Sequence, residues 1–473
     1  MSLKLLCALL MSAASSFGFQ ASDPQTILKR MLDVTGFARV SGKALHWHDM
    51  QGVEQNYQSP SPFITVLNSR EVWIDPRTGI ERISSQAVYP GRGPSPAAVS
   101  IVGPGGTFSI GPNGPVAVPG SPGQQRNLDL WAVLADWRDA RDVRLAPSQV
   151  YQDYPRTVLA RAGAFGEERL FLDTKTGFPV KLDREEPHYL WGQVRVEYLY
   201  SIWHDNAGAF LPVSSARVVD GFKEITRTVG DFEFIDRENA PDLALPAVPP
   251  AASGLPLFLQ PLRPKKIDID THTFLTQNPG YTEAFALAGD TVYILDATQS
   301  EKRAQQDLEL IRAAFPGEHR FVLVVTDLAW PHIAGVRFWV ASGATVISHR
   351  ASKEFLTRVV ERRWTRAPDL LEQRRKSVKF HFVAVDKAYT VASGKLELAA
   401  IDGIGSEGSL MAWLPDSGFL WASDYIQSVT DPATYTTEVW LAVERAGFKP
   451  KQVAAMHIPL TPWATIEALA KAH

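Results

Sequence analysis

The side chains best suited to chemistry lie in Phe321 to Gly335, F-V-L-V-V-T-D-L-A-W-P-H-I-A-G. Five apolar residues, Phe321 to Val325, read as a buried strand. The turn that follows carries Asp327 and His332. A carboxylate and an imidazole are donor types that zinc accepts, whereas Ala329 and Pro331 in the same turn have no side-chain donor. A histidine pair, His46-Trp47-His48, places two imidazoles on the same side of a strand. The sequence offers this pair no third ligand, so it reads as a half-exposed strand. His188 and His204 are isolated and are assigned nothing. The only cysteine is Cys7, which leaves no thiolate chemistry and no disulfide for the rest of the chain.

The Phe321–Gly335 turn resembles the metal turn of the metallo-β-lactamase family, T-H-x-H-x-D-H-x-G-G, which loads two zinc ions. On that pattern Thr326 and Gly335 match, and the last histidine is His332. Asp327, Ala329 and Pro331 stand where the first two histidines and the aspartate belong, and Ala334 replaces the first glycine. Further stretches are similar to family landmarks in family order. Glu283 to Asp296 reads as two strands around a Gly289-Asp290 hairpin turn. Gln305 to Ala314 is spaced for a helix, and Val336 to Arg350 resembles the helix and strand after the metal turn. Ser409 to Pro415 and Phe419 to Asp424 resemble paired late strands, and Met456-His457 with Thr461-Pro-Trp463 resembles the closing segment.

The resemblance implies a depleted ligand set. Gly405 stands in place of the third histidine of the first metal position, which keeps only Asp327. The second position keeps His332, Asp424 and His457. Two histidines and a carboxylate can hold one divalent metal with open positions, while a two-metal mechanism lacks its ligands. The implied cofactor complement is none, or one zinc, manganese or iron ion at low occupancy. Asp327 is a candidate fourth ligand or general base.

Positioning these residues takes two domains, because 473 residues exceed one core. Residues 1–21 read as a signal peptide: one basic residue, a short apolar run and a small-residue end. That leader and the otherwise cysteine-free chain imply a periplasmic or secreted protein with no membrane span. Seven prolines in 238–266 mark a stiff connector, placed at 238–261. Residues 22–237 open with a helix at Ser22-Asp23-Pro24 that stops at Gly36. Strand pairs follow around two Asp-x-x-Thr-Gly turns, at Asp75 and Asp173. A glycine- and proline-rich insert, Pro90 to Gln125, reads as a long mobile loop, and Asn127 to Arg138 as a helix with Trp131 and Trp137 in the core. The stretches L-D-T-K-T-G-F-P-V and Y-S-I-W-H-D-N-A-G-A-F-L-P resemble bacterial lipoprotein-carrier-like domains, which can hold an acyl chain in an apolar cleft.

The fold expected is therefore α+β in two domains. The N-terminal domain is a curved antiparallel β half-barrel with a helix, and residues 262–473 are an αββα metallo-β-lactamase sandwich. A formal charge of -3, from 48 basic and 51 acidic residues, gives no bulk attraction for nucleic acid. Three function classes remain. The first is a non-catalytic binding or scaffold protein with a degenerate metal site. The second is a single-metal hydrolase using His332, Asp424 and His457. The third is a lipid or lipoprotein binder acting through the N-terminal domain. The ligand is a small molecule, a lipid or a protein.

Overall fold

The computed structural model describes residues 23–40, 42–55, 64–88, 94–118, 126–249, 262–278, 280–403, 406–430 and 434–472. The expected signal peptide with Cys7, part of the connector, and Gly405 lie outside them. The first helix, α1 (Pro24–Val34), begins where the Asp23 carboxylate accepts the Thr26 N–H at 3.2 Å. It ends at Gly36, at φ +74°, where an added Cβ would lie 2.2 Å from the Gly208 carbonyl oxygen.

One antiparallel sheet organises the N-terminal domain. Its first six strands are β1 (Lys43–Gln55), β2 (Ile64–Asp75), β3 (Ile80–Val88), β4 (Ala98–Gly103), β5 (Gly106–Gly111) and β6 (Gly114–Val118). The helix α2 (Leu130–Arg138) intervenes. Then come β7 (Arg144–Tyr151), β8 (Tyr154–Gly163), β9 (Gly166–Asp173), β10 (Pro179–His188), β11 (Gly192–Asn206), β12 (Ala209–Val219) and β13 (Phe222–Asp236). The spatial order β6-β5-β4-β3-β2-β1-β13-β12-β11-β10-β9-β8-β7 joins two meanders at the β1–β13 pair. Both Asp-x-x-Thr-Gly turns form as read. Asp75 accepts the Arg77 N–H at 3.0 Å and Asp173 accepts the Thr176 N–H at 2.9 Å, with Gly79 and Gly177 at positive φ.

The insert read as a mobile loop needs correction. Its described part forms β4, β5 and β6, which extend the sheet. The glycines sit at the two tight turns, Gly103–Gly106 and Gly111–Gly114, and Val99, Ile101, Phe108 and Ile110 pair across the strands between them. Glycine density marked the turns and hid the alternation between them.

The inner face of this sheet is filled. Every residue of α2 except Asp136 and Arg138 is buried, Trp131 and Trp137 fully. Beside it run buried ion pairs. Arg70 donates to both oxygens of Asp49 at 2.8 and 2.6 Å, Arg227 pairs with Asp129, and Arg217 donates to Glu186 at 2.9 Å. Breaking one of these would strand a buried charge, which is costlier than never having built the pair.

The C-terminal domain has two mixed sheets. The first runs in sequence order through β14 (Lys265–Asp268), β15 (Thr273–Asn278), β16 (Tyr281–Ala288), β17 (Thr291–Leu295), β18 (Arg320–Val325), β19 (Thr345–His349) and β20 (Phe382–Val385). It turns parallel at β17, and α3 (Glu301–Ala314) and α4 (Val336–Ala341) supply the first two crossovers. The second comprises β21 (Ala388–Val391), β22 (Leu396–Ala400), β23 (Leu410–Leu414), β24 (Phe419–Trp421), β25 (Gln452–Ala455) and β26 (Ile458–Pro462). Leu275, Leu295 and Val324 of the first sheet meet Leu398, Leu410 and Trp421 of the second in a shared core. The outer side of the second sheet packs on α7 (Thr434–Ala446) and α8 (Trp463–Lys471); α5 (Lys353–Glu361) and α6 (Leu370–Arg374) join the core outside the first. The two-domain α+β class is as expected. Among the described residues no helix is long and apolar enough to cross a membrane.

The domains meet through the turn between β10 and β11. Trp191 packs edge-on against Trp330 and Phe355, at ring separations of 5.8 and 5.6 Å. Arg362 donates to the Trp191 carbonyl at 2.6 Å and to Asp220 at 2.5 Å.

Glu81 of β3 is fully buried, and neither carboxylate oxygen has a hydrogen-bond partner among the described residues. Burial pushes its carboxyl up from 4.5 to about 7, against the opposing charge of Arg126. Because the folded state holds this proton more tightly, Glu81 contributes fully below pH 4.5, and that contribution is lost as pH rises through about 7. At roughly 1.4 kcal/mol per unit, the loss amounts to about 3 kcal/mol. Urea unfolding at pH 5 and pH 8 should show Glu81→Gln to be the more stable chain at pH 8, with a flatter pH dependence.

Candidate functional site

Three loops at strand ends converge. His332 closes a short helical turn, Trp330–His332, after β18, and its backbone is pinned by N–H donation to the Ala329 carbonyl at 2.9 Å. Asp424 follows β24 by three residues, next to Ser423, whose φ is +56°. His457 sits in the turn between β25 and β26. One donor atom each from His332, Asp424 and His457 lies within 4.8 Å of the others. Nε2 of His332 is 3.8 Å from Asp424 Oδ1, and Nε2 of His457 is 3.1 Å from it. The His332 side chain is 4% exposed and that of His457 28%, so the cluster opens to solvent on the His457 side.

The other nitrogen of each ring is also engaged. His332 Nδ1 lies 2.9 and 3.1 Å from the two oxygens of Asp327. His457 Nδ1 lies 2.7 Å from the Gly280 carbonyl oxygen. Asp327 therefore faces the opposite nitrogen of His332 from the one near Asp424, and it orients the ring where a fourth ligand or general base was considered. Burial opposes a charge on His332, yet the carboxylates of Asp327 and Asp424 hold its pKa up at about 9. Asp424 is kept below the usual carboxylate range: burial works against it, but His332 and His457 outweigh burial. Gln427 donates to Asp424 Oδ1 at 2.5 Å.

Behind Asp327 runs a buried relay. Ser423 donates its hydroxyl to Asp327 Oδ2 at 2.8 Å, and Thr326 Oγ1 lies 2.8 Å from Ser423 Oγ and in contact with Asp296. With the Ser423 proton on Asp327, the Thr326 proton must go to Ser423, so Asp296 must supply the next one. Asp296 is thus the protonated partner, consistent with burial and the Asp327 charge raising it to about 7. Its remaining sites accept from the Thr326 N–H at 2.7 Å and the Trp421 indole at 2.8 Å. The side-chain oxygens of Asp296, Thr326, Asp327 and Ser423 all have partners, as a buried network requires.

Sequence reasoning singled out His332, Asp424, His457 and Asp327, and missed Ser423, Gln427 and Tyr281. Ser423 adjoins Asp424, a clue in hindsight. Gln427 has no local signature. Tyr281 opens β16, and its ring lies 5.2 Å from that of His457 and 6.0 Å from that of His332. Burial and the Asp424 charge push its hydroxyl up to about 12.

No family model matches the chain, and no curated protein matches it. Among solved structures, the DIM-1 metallo-beta-lactamase is 13% identical with a TM-score of 0.35, covering 44% of this chain and 95% of its own. A metallo beta lactamase from Erythrobacter litoralis is 14% identical with a TM-score of 0.34, covering 44% of this chain and 95% of its own. A LolA superfamily protein from Nitrosomonas europaea is 11% identical with a TM-score of 0.32, covering 45% of this chain and 94% of its own. These findings correct the two family resemblances read from the sequence. With no family model matching, what stands is partial structural likeness to metallo-β-lactamases and to a LolA-type protein, and at these scores it assigns no residue a role.

Removing the Ser423 hydroxyl leaves Thr326 and Asp327 each short of a partner. Ser423→Ala should therefore destabilise the chain by about 1–3 kcal/mol in urea unfolding. A change no larger than an ordinary surface substitution would show that the relay is not formed.

Proposed function

We propose that the C-terminal domain holds one divalent cation through His332 Nε2, His457 Nε2 and an Asp424 carboxylate oxygen, and that it works as a single-metal hydrolase. The observation that carries this reading is the proton placement on His457. The Gly280 carbonyl can only accept, so His457 Nδ1 bears the proton. A neutral ring then turns its Nε2 lone pair toward an Asp424 oxygen 3.1 Å away. Two lone pairs at that separation call for a cation between them, either a further proton or a metal. His332 Nδ1 likewise faces an acceptor, Asp327, and its Nε2 lies 3.8 Å from the same Asp424 oxygen.

The residues fit a metal. Two imidazoles and one carboxylate are a recognised donor set for a divalent ion with open positions. Each histidine has an acceptor on its far nitrogen, the arrangement that fixes the tautomer and raises ligand basicity. A bound ion would supply Lewis acidity toward a carbonyl or phosphoryl oxygen. Around it Asp327 and Gly280 aim the two rings, and Gln427 fixes Asp424. Tyr281 keeps its proton at neutral pH and so can donate to a substrate oxygen. Ala329 and Pro331 bring no ligand to a second ion.

Two other readings draw on less. In the non-catalytic binding or scaffold role, protons alone fill the cluster, and the degenerate site is structural. A lipid-binding N-terminal domain would need an apolar inner face where Asp49, Arg70, Asp129 and Arg227 are buried. We place the protein in the periplasm or outside the cell, a reading supported by the leader-like start and the absence of cysteine beyond Cys7.

Chelator-treated protein, resupplied with zinc, manganese or iron, should take up an ion at this cluster that His457→Ala loses. It should then turn over an ester, thioester, lactam or phosphodiester in a metal-dependent way. Asp327→Asn should weaken uptake by about 10–100-fold. No His457-dependent ion would leave the proton-filled network and the binding role. An ion without turnover on any of the four substrate classes would retain the site and reject the hydrolase.

A further inference from the structure

A second cluster of metal-ligating side chains lies on the outer face of the N-terminal sheet. His46 and His48 are two residues apart on β1 and so share a face. On β2, Trp73 sits opposite His46 and Glu71 opposite His48; on β13, Glu233 sits opposite His46. This register supplies the third ligand that the sequence alone does not. One donor atom each from His46, His48 and Glu71 lies within 4.8 Å of the others.

His46 is the centre of this arrangement. Its Nδ1 lies 3.0 Å from Glu233 Oε1 and its Nε2 lies 3.2 Å from Glu71 Oε1. A neutral imidazole has one N–H, so one of the two carboxylates confronts a lone pair unless a cation joins them. The ring cannot turn away easily: it stacks on Trp73 at 3.9 Å. The Trp73 indole also donates to Glu71 Oε1 at 3.2 Å and steadies that carboxylate. The His48 ring stands edge-on to His46, 5.1 Å away.

We propose that His46 Nε2, His48 and Glu71 bind a borderline divalent cation such as zinc, copper or nickel, with Glu233 orienting His46 through Nδ1. Imidazole and carboxylate donors suit these ions. Ligand distances of about 2.0–2.2 Å require the donors to draw in by roughly an ångström; His46 Nε2 and Glu71 Oε1 are already 3.2 Å apart, and rotation of the exposed His48 side chain brings in the third. Glu233 would stand to His46 as Asp327 stands to His332, a carboxylate behind a ligating ring. The site is separate from the C-terminal cluster and stands whether or not that cluster binds metal.

The test uses the full chain carrying His457→Ala, titrated with zinc and with copper by calorimetry. One ion should bind, and the copper complex should give an electron paramagnetic resonance spectrum with coupling to two imidazole nitrogens. Adding His48→Ala, at an exposed position where circular dichroism should show the fold intact, should weaken binding more than about 10–100-fold and reduce the coupling to one nitrogen. Glu233→Gln should weaken it by about 10–100-fold while both nitrogens remain coupled. No binding to the His457→Ala chain, or binding unchanged by His48→Ala, would overturn the proposal.

Discussion

Asp327 takes the Nδ1 side of His332, and most of the C-terminal site follows from that one contact. It decides which nitrogen of the ring is left to face Asp424. It also places a carboxylate 2.8 Å from the Ser423 hydroxyl, which orders the protons of Ser423, Thr326 and Asp296 in turn. The relay ties together three chain segments, after β17, β18 and β24, that are far apart in sequence. The loop bearing His457 joins the same frame, because the Met456 N–H donates to the Ser423 carbonyl at 2.8 Å. A site made of loops gains in this way the rigidity that loops alone lack.

The order of elements in the C-terminal domain was legible because buried parallel strands read as apolar runs, as Phe321 to Val325 does. The convergence of His332, Asp424 and His457 is not written in any local spacing, since 92 residues separate the first two; the fold brings them together. The role of Asp327 was misplaced for a physical reason. Sequence reports donor type, while the nitrogen a carboxylate meets depends on backbone turns such as Trp330–His332. Gln427 and Tyr281 carry no local pattern, and only the fold brings them near. In the N-terminal half, glycines at Gly103, Gly106, Gly111 and Gly114 disguised a pair of hairpins as a loop. His46 and His48 were seen, but their partners Glu71 and Glu233 come from pairing register, which a single sequence does not print.

The two domains are coupled at the element that bears His332. Trp330, two residues before it, is packed by Trp191 at 5.8 Å and by His188 at 5.3 Å, both from the N-terminal domain. His188 is neutral: burial, reinforced by Arg217 and Arg362, drives its pKa down to about 3. Its Nδ1 accepts the N–H groups of Leu190 and Trp191 at 3.1 and 3.3 Å, which shapes the turn that presents Trp191. Gly192 is the residue that lets Trp364 close over this turn, since an added Cβ would meet the indole at 2.7 Å. The N-terminal sheet thus supports the helical turn of His332 from behind. The position of His332 therefore rests on packing contributed by both domains.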